Sequence, residues 1–133
     1  MKNLLIITFI LFPPYTHPIN WVKVGKSTDG HSFYVDIENI EKKSNFIYFW
    51  LLTDWLYPSP YGTLSETSRK KSNCVDDKTL EIETNWYSKN MTEGKLMNSF
   101  VSDDLPDGSN KWLYNTEGSI GQFILKFACK HVD

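Results

Sequence analysis

The sequence predicts an α+β fold: an antiparallel β-sheet of about five to six strands packed by one C-terminal α-helix and pinned by one disulfide. Three observations lead there. Short segments with period-two alternation or dense aromatic content recur between turn signals, as sheet strands require. Only the last stretch, about 120–131, carries helical spacing. The only two cysteines, Cys74 and Cys129, fall after a polar strand and inside that helix.

The chain opens with an address. Lys2 precedes an uncharged apolar run from Leu4 to Phe12, and Pro13 and Pro14 break it. A charged residue before an apolar run of that length is the order of a secretory signal peptide. The run is too short to cross a bilayer, which takes about 20 apolar residues. Residues 1–20 are therefore expected to be a signal peptide, its cleavage point falling between Thr16 and Asn20, and 21–133 the mature domain. No cysteine follows the apolar run, so no lipid-attachment site is expected. Export explains the cysteines: in an oxidising compartment such a pair becomes a bridge. Closing a loop of about 55 residues would contribute roughly 4 kcal/mol on the chain-entropy model.

The elements follow in order. Residues 21–24 (WVKV) alternate and end at Gly25, giving a short first strand. Asp29-Gly30 supplies the turn chemistry of a tight hairpin, and 32–36 (SFYVD) return as the second strand with Phe33 and Val35 on one face. A polar connection spans 37–43. Residues 46–55 (FIYFWLLTDW) are apolar on both faces, which predicts a central strand covered twice, with a buried helix as the competing reading. Pro58, Pro60 and Gly62 make 57–62 a loop. The polar stretch 65–74 predicts an exposed or edge strand, its Arg69-Lys70-Lys71 run discouraging edge pairing. Asp76-Asp77-Lys78 turn the chain into 79–88, where Leu80, Ile82, Thr84 and Trp86 are expected on one face and Glu81, Glu83, Asn85 and Tyr87 on the wet one. Residues 89–110 lack a period; such a length implies either a hidden strand near 96–101 or a functional loop. A last short strand is expected at 111–114. Ser119 and Gln122 match a capping box, and Ile120, Phe123, Ile124, Phe127 and Ala128 form the apolar stripe of the helix. Cys129 lies off that stripe, so the bridge ties the helix flank to the sheet while Phe123 and Phe127 are expected to fill the core.

Composition bounds the chemistry. The 133 residues are 41% hydrophobic and 15% aromatic, too apolar for a disordered chain and enough for one domain. A net charge of -2 and a pI near 5.9 argue against a general nucleic-acid binder. His17, His31 and His131 stand far apart, no HExxH or paired CxxC occurs, and no metal or cofactor is expected. Ser68 and Lys71 match SxxK without the companion motifs of serine acyl-enzymes. Residues 103–108 (DDLPDG) resemble a calcium loop, but Leu105 stands where an oxygen ligand belongs, leaving a turn. No catalytic residue is assigned. The candidate ligand-binding residues are the cations Arg69, Lys70 and Lys71, suited to acidic glycans or carboxylates, and Tyr57 and Tyr61 on the proline loop, suited to an interface.

Several residues in order carry a family resemblance: Trp21, Asp29-Gly30, residues 33–36 (FYVD), Ile40, Phe49-Trp50, Leu52, Asp54, Gly62, Ser65, Cys74, Tyr87-Ser88, Gly94, Trp112, Ser119, Leu125 and Cys129. Together they resemble the bacterial surface-adhesin protein E-like family over about 21–129. Asn73 stands where that family usually has an acidic residue. The resemblance implies an antiparallel sheet packed by a C-terminal helix with the two cysteines bridged. It also implies a non-enzymatic, extracytoplasmic binding role toward host matrix and plasma proteins such as laminin, vitronectin and plasminogen. The expected partner is accordingly a protein or glycan ligand at the cell surface, with no nucleic acid, no transmembrane span, and a homodimer as the self-association to test. A periplasmic envelope protein without adhesive activity is the alternative, and a small enzyme with an unfamiliar site the third.

Overall fold

The computed structural model describes residues 18–102 and 112–132. The leader up to residue 17 and the turn at 103–108 lie outside the described residues. Among the described residues eight antiparallel strands form one sheet: β1 (Trp21–Lys26), β2 (Ser32–Asp36), β3 (Glu41–Lys43), β4 (Phe46–Asp54), β5 (Ser65–Asn73), β6 (Lys78–Tyr87), β7 (Leu96–Val101) and β8 (Leu113–Tyr114). The main path runs β1-β2-β4-β5-β6-β7; β3 pairs with β4, and β8 with β6. Among the described residues one α-helix, α1 (Ile120–Lys130), follows the sheet.

The turns form for local reasons. Asp29-Gly30 closes the β1–β2 hairpin, Gly30 taking φ +89 and donating its N–H to the Ser27 carbonyl at 3.0 Å. Ser119 caps α1 by accepting from the Gln122 N–H at 3.1 Å. The Gln122 amide oxygen reaches back to the Gly118 N–H at 2.9 Å, one residue before the position a standard capping box uses.

Residues paired across antiparallel strands project to the same side. Register therefore sorts the sheet into two faces. Val35 pairs with Leu51 and Leu51 with Ser68, so these share a face with Ile47 and Phe49. Helix α1 packs there: Val35, Ile47, Phe49, Leu51, Ile124, Leu125 and Ala128 form the buried core. The turn between β5 and β6 holds both ends of the helix. Asp77 accepts from the Gln122 side chain at 2.7 Å and from Asn115 at 3.0 Å, while Cys74 bridges Cys129 with Cα atoms 6.0 Å apart.

Four expectations need correction. Segment 65–73 is no edge: β5 lies between β4 and β6. Its Ser65, Thr67, Ser68 and Ser72 are buried, and hydroxyls meet across the strands, Ser72 to Thr79 at 2.8 Å and Ser68 to Thr84 at 3.4 Å. Hydrogen-bonded hydroxyls can be buried without apolar content. Strand β6 does not keep one face throughout. Lys70 pairs with Glu81 and Arg69 with Glu83, so the ladder skips Ile82, and Leu80 and Thr84 are buried on opposite faces. On α1, Phe123 is 57% exposed with its ring edge near Gly25, and Leu125 is buried beside Ile124 and Ala128 instead. Finally, β4 is covered by the helix on one face only; on the other, Leu52 is buried while Phe46, Tyr48 and Trp50 are half-buried. The segment 96–101 is the hidden strand, and the stretch before it folds back over the sheet.

Candidate binding face

The helix-free face of the sheet carries the densest arrangement of chemically active side chains. Strand β4 contributes Phe46, Tyr48 and Trp50 to it, because alternate residues point away from the core. Register sets cations around them. Lys43 lies opposite Phe46, Lys71 opposite Tyr48, and Arg69 opposite Trp50. Lys78 joins from β6, opposite Tyr114 of β8. Trp112 stacks on Phe46 with ring centres 5.6 Å apart.

The cations sit over the rings. Lys71 lies 4.7 Å from the Phe46 centroid, Lys78 4.8 Å from Trp112, Lys43 5.3 Å from Tyr48, and Arg69 5.9 Å from Trp50. Each such contact contributes about 0.5–1 kcal/mol at an exposed site. The stems of Lys and Arg can also cover apolar ring surface. Carboxylates are fewer: Glu41 pairs with Lys43 at 3.2 Å and with Arg69 at 3.8 Å, and Asp76 with Lys78 at 3.9 Å. Glu83, level with Arg69, accepts from Asn85 at 3.1 Å.

Toward the other end this face deepens into a hollow of about 780 Å³, lined by Trp21, Trp50, Tyr87, Arg69, Glu41 and Asn85 among others. Its floor near Asp36 is already satisfied. That buried carboxylate accepts from the Asn20 N–H at 3.0 Å and from Asn39 at 2.7 Å. Thr92 contributes to one wall. Asp54 accepts from the Met91 N–H at 2.7 Å, and the Ser65 hydroxyl accepts from the Thr92 N–H at 2.9 Å, drawing Thr92 into the lining.

The sequence-nominated residues are divided between regions. Arg69 and Lys71 join the aromatic row. Lys70, one residue between them, points to the helix side and is held by Glu81 at 2.6 Å. Tyr57 and Tyr61 stand 68% and 85% exposed on the β4–β5 loop. Tyr61 lines a separate hollow of about 520 Å³ with Trp55, Trp86 and Met97. The row partners Phe46, Tyr48, Trp50 and Trp112 were missed by sequence reasoning. Their signal lay in the same alternation that placed Phe49 inside, whereas the approach of Trp112 is nonlocal.

Carboxylates on the helix side diverge. Burial pushes the Glu66 carboxyl up, and the Glu81 charge adds to it, against Lys70 and the Trp86 indole. Burial works on Glu81 in the same direction, but the Lys70 charge and hydrogen bonds from Lys70 and Thr84 outweigh it and hold Glu81 below its usual range. Those partners already occupy Glu81, so the cluster is an internal ion pair. Hydrogen bonds from Gln122 and Asn115 lower Asp77. Among the described residues no three His, Cys, Asp or Glu side chains gather to hold a metal, and no helix is long and apolar enough to cross a membrane.

An antiparallel sheet packed on one face by a single α-helix and stapled to it by a disulfide defines an α+β domain with one open sheet face. The surface-adhesin protein E family model matches residues 21–130, and the chain belongs to that family. The fold is also that of solved structures of protein E from Haemophilus influenzae. Crystal form II is 18% identical, with 90% of this chain and 94% of that chain covered and a TM-score of 0.57. Protein E from the non-typeable bacterium is 17% identical, with 90% and 82% covered and a TM-score of 0.53. No curated protein sequence matches this chain.

Proposed function

We propose that this protein is an exported, non-enzymatic binding domain whose helix-free face engages a ligand outside the cytoplasm. The observation that carries this reading is the row of Phe46, Tyr48, Trp50 and Trp112 under Lys43, Arg69, Lys71 and Lys78, opening onto the 780 Å³ hollow. Aromatic residues and Arg at the centre of a surface are the usual carriers of binding energy. Family membership supports an extracytoplasmic setting, and the start of both the family match and β1 at Trp21 fits removal of the leader. Tyr57 and Tyr61 offer a second, separate contact point on the exposed β4–β5 loop. Lys70, held by Glu81, takes no part in the face.

The test is direct binding of the purified protein to immobilised laminin, vitronectin and plasminogen, with Arg69→Glu as the face variant. Binding that falls at least tenfold in Arg69→Glu supports the reading; binding to none of them, or binding indifferent to the substitution, sinks it. Surface proteolysis of intact cells separates an adhesive protein, which is cut, from a periplasmic one, which is protected.

A further inference from the structure

The proposed binding face has a composition that selects its ligand. We infer that the cationic row takes a linear acidic glycan, one carrying uronate or sulfate groups along its length; this rests on the reading of the helix-free face as the binding surface.

The size of the row sets the first limit. Lys43 stands on β3 and Lys78 on β6, with β4 and β5 between them. At about 4.8 Å between neighbouring strands, the row is roughly 14 Å wide. Arg69 and Lys71, two residues apart on β5, add roughly 7 Å along the strand. A single carboxylate or phosphate cannot meet charges spread this far. A chain with repeated anions can meet all four.

The pairing of the charges sets the second limit. Lys71 makes no salt bridge among the described residues and lies over the Phe46, Tyr48 and Trp112 rings. Arg69 reaches Glu41 only at 3.8 Å, and Lys78 reaches Asp76 only at 3.9 Å. Exposed pairs of this kind contribute little, so an incoming anion displaces them at small cost. A ring-held ammonium is also positioned before binding, which lowers the ordering cost of complex formation.

Two other polyanion classes fit less well. A single-stranded nucleic acid would stack its bases on free ring faces. Here cations lie 4.7–5.9 Å over the rings of Phe46, Tyr48 and Trp50. An extended peptide gains its main-chain pairing at a sheet edge. Arg69, Lys71 and the rings of β4 lie on strands whose backbones are paired on both sides, away from the free edge of β3. There only side chains are on offer, and a glycan's anions and hydroxyls suit them.

The experiment measures binding of the purified protein to a heparin oligosaccharide, with neutral dextran and oligo-dT as comparison probes. Heparin should bind and dextran should not, and added salt should weaken the complex. Lys71→Ala with Lys78→Ala should lower affinity at least tenfold, while Lys71→Arg with Lys78→Arg retains it. Lys126→Ala with Lys130→Ala, on α1 and so on the other side of the sheet, should leave it unchanged. Equal binding of dextran, tighter binding of oligo-dT, or indifference to the Lys71/Lys78 pair overturns the assignment. So does an absence of heparin binding. If heparin fails while a matrix protein still binds in an Arg69-dependent way, the glycan inference falls and the binding face stands; if both fail, both fall.

Discussion

Phe49 and Trp50 are neighbours in the chain and opposites in circumstance. Phe49 points into the helix-covered core and is 2% exposed; Trp50 points to the open face and meets Arg69. The same alternation separates Ile47 and Leu51 from Phe46 and Tyr48. One strand thus serves two layers of different chemistry. On the core side, apolar burial needs complementary shape, and α1 supplies it. On the open side, long cationic side chains shield ring surface without sealing it, which keeps charge at the solvent boundary. Dense aromatic content on both faces of a strand need not mean a second packed layer.

Substitutions at the two neighbours should separate stability from binding. Phe49→Ala leaves a cavity among Val35, Ile47, Leu51 and Leu125 and is expected to cost about 3–5 kcal/mol in denaturant unfolding. Comparable losses for Phe49→Ala and Trp50→Ala would break the contrast and mean that the open face is packed as tightly as the core.

The staple comes next. Replacing Cys74 and Cys129 together by Ser releases a bridge spanning a sequence separation of 55, with a loss of about 4 kcal/mol on the loop-entropy model. Unfolding of the wild type under reducing agent should reproduce the loss. Because Asp77 still holds Gln122, amide exchange should accelerate first at the C-terminal end of α1 and later at its start. Uniform acceleration along the helix would show that the Asp77 anchor does not act alone.

How much of this could be read beforehand depends on the range of the interaction. The Asp29-Gly30 hairpin, the Ser119 cap and the polar-apolar period of α1 are local, and they were legible. The place of β5 was not, because buried Ser68 and Ser72 look like surface residues until their partners Thr84 and Thr79 are known. The skipped residue Ile82 likewise depends on a register no single strand encodes. For the candidate site, the basic run was visible, but a strand's alternation divides it: Arg69 and Lys71 go one way, and Lys70 the other. The stacking of Trp112 on Phe46 joins residues far apart in sequence and left no local signal.

A smaller effect sharpens the division of that basic run. Lys71→Ala should cost no more than about 1 kcal/mol, the scale of a surface cation–π contact. Lys70→Ala should destabilise measurably more, because it strips Glu81 of its partner beside Glu66. Matched thermal unfolding of the two variants checks the order; a reversal would mean that the cation-covered rings matter more to folding than the ion pair on the helix side.

The smallest expected effect is a pair of opposed pH slopes. Asp77 is lowered by Gln122 and Asn115, so the folded state binds its proton less tightly than the unfolded state. Its stabilising contribution is complete above the ordinary Asp range, near pH 4, and is lost as pH falls through the depressed folded value. Glu66 is raised by burial and by the Glu81 charge, so the folded state binds its proton more tightly. Stability through Glu66 therefore declines as pH rises from the ordinary Glu range toward the raised value. Asp77→Asn should flatten the acid limb of a stability-pH curve, while Glu66→Gln should remove a decline on its neutral side. The two changes act at opposite ends of the structure, Asp77 at the helix start and Glu66 beside Trp86. Their effects should therefore add in the double variant. A double variant departing from additivity would mean that the turn holding α1 and the ion-pair cluster on β5 and β6 respond as one electrostatic unit.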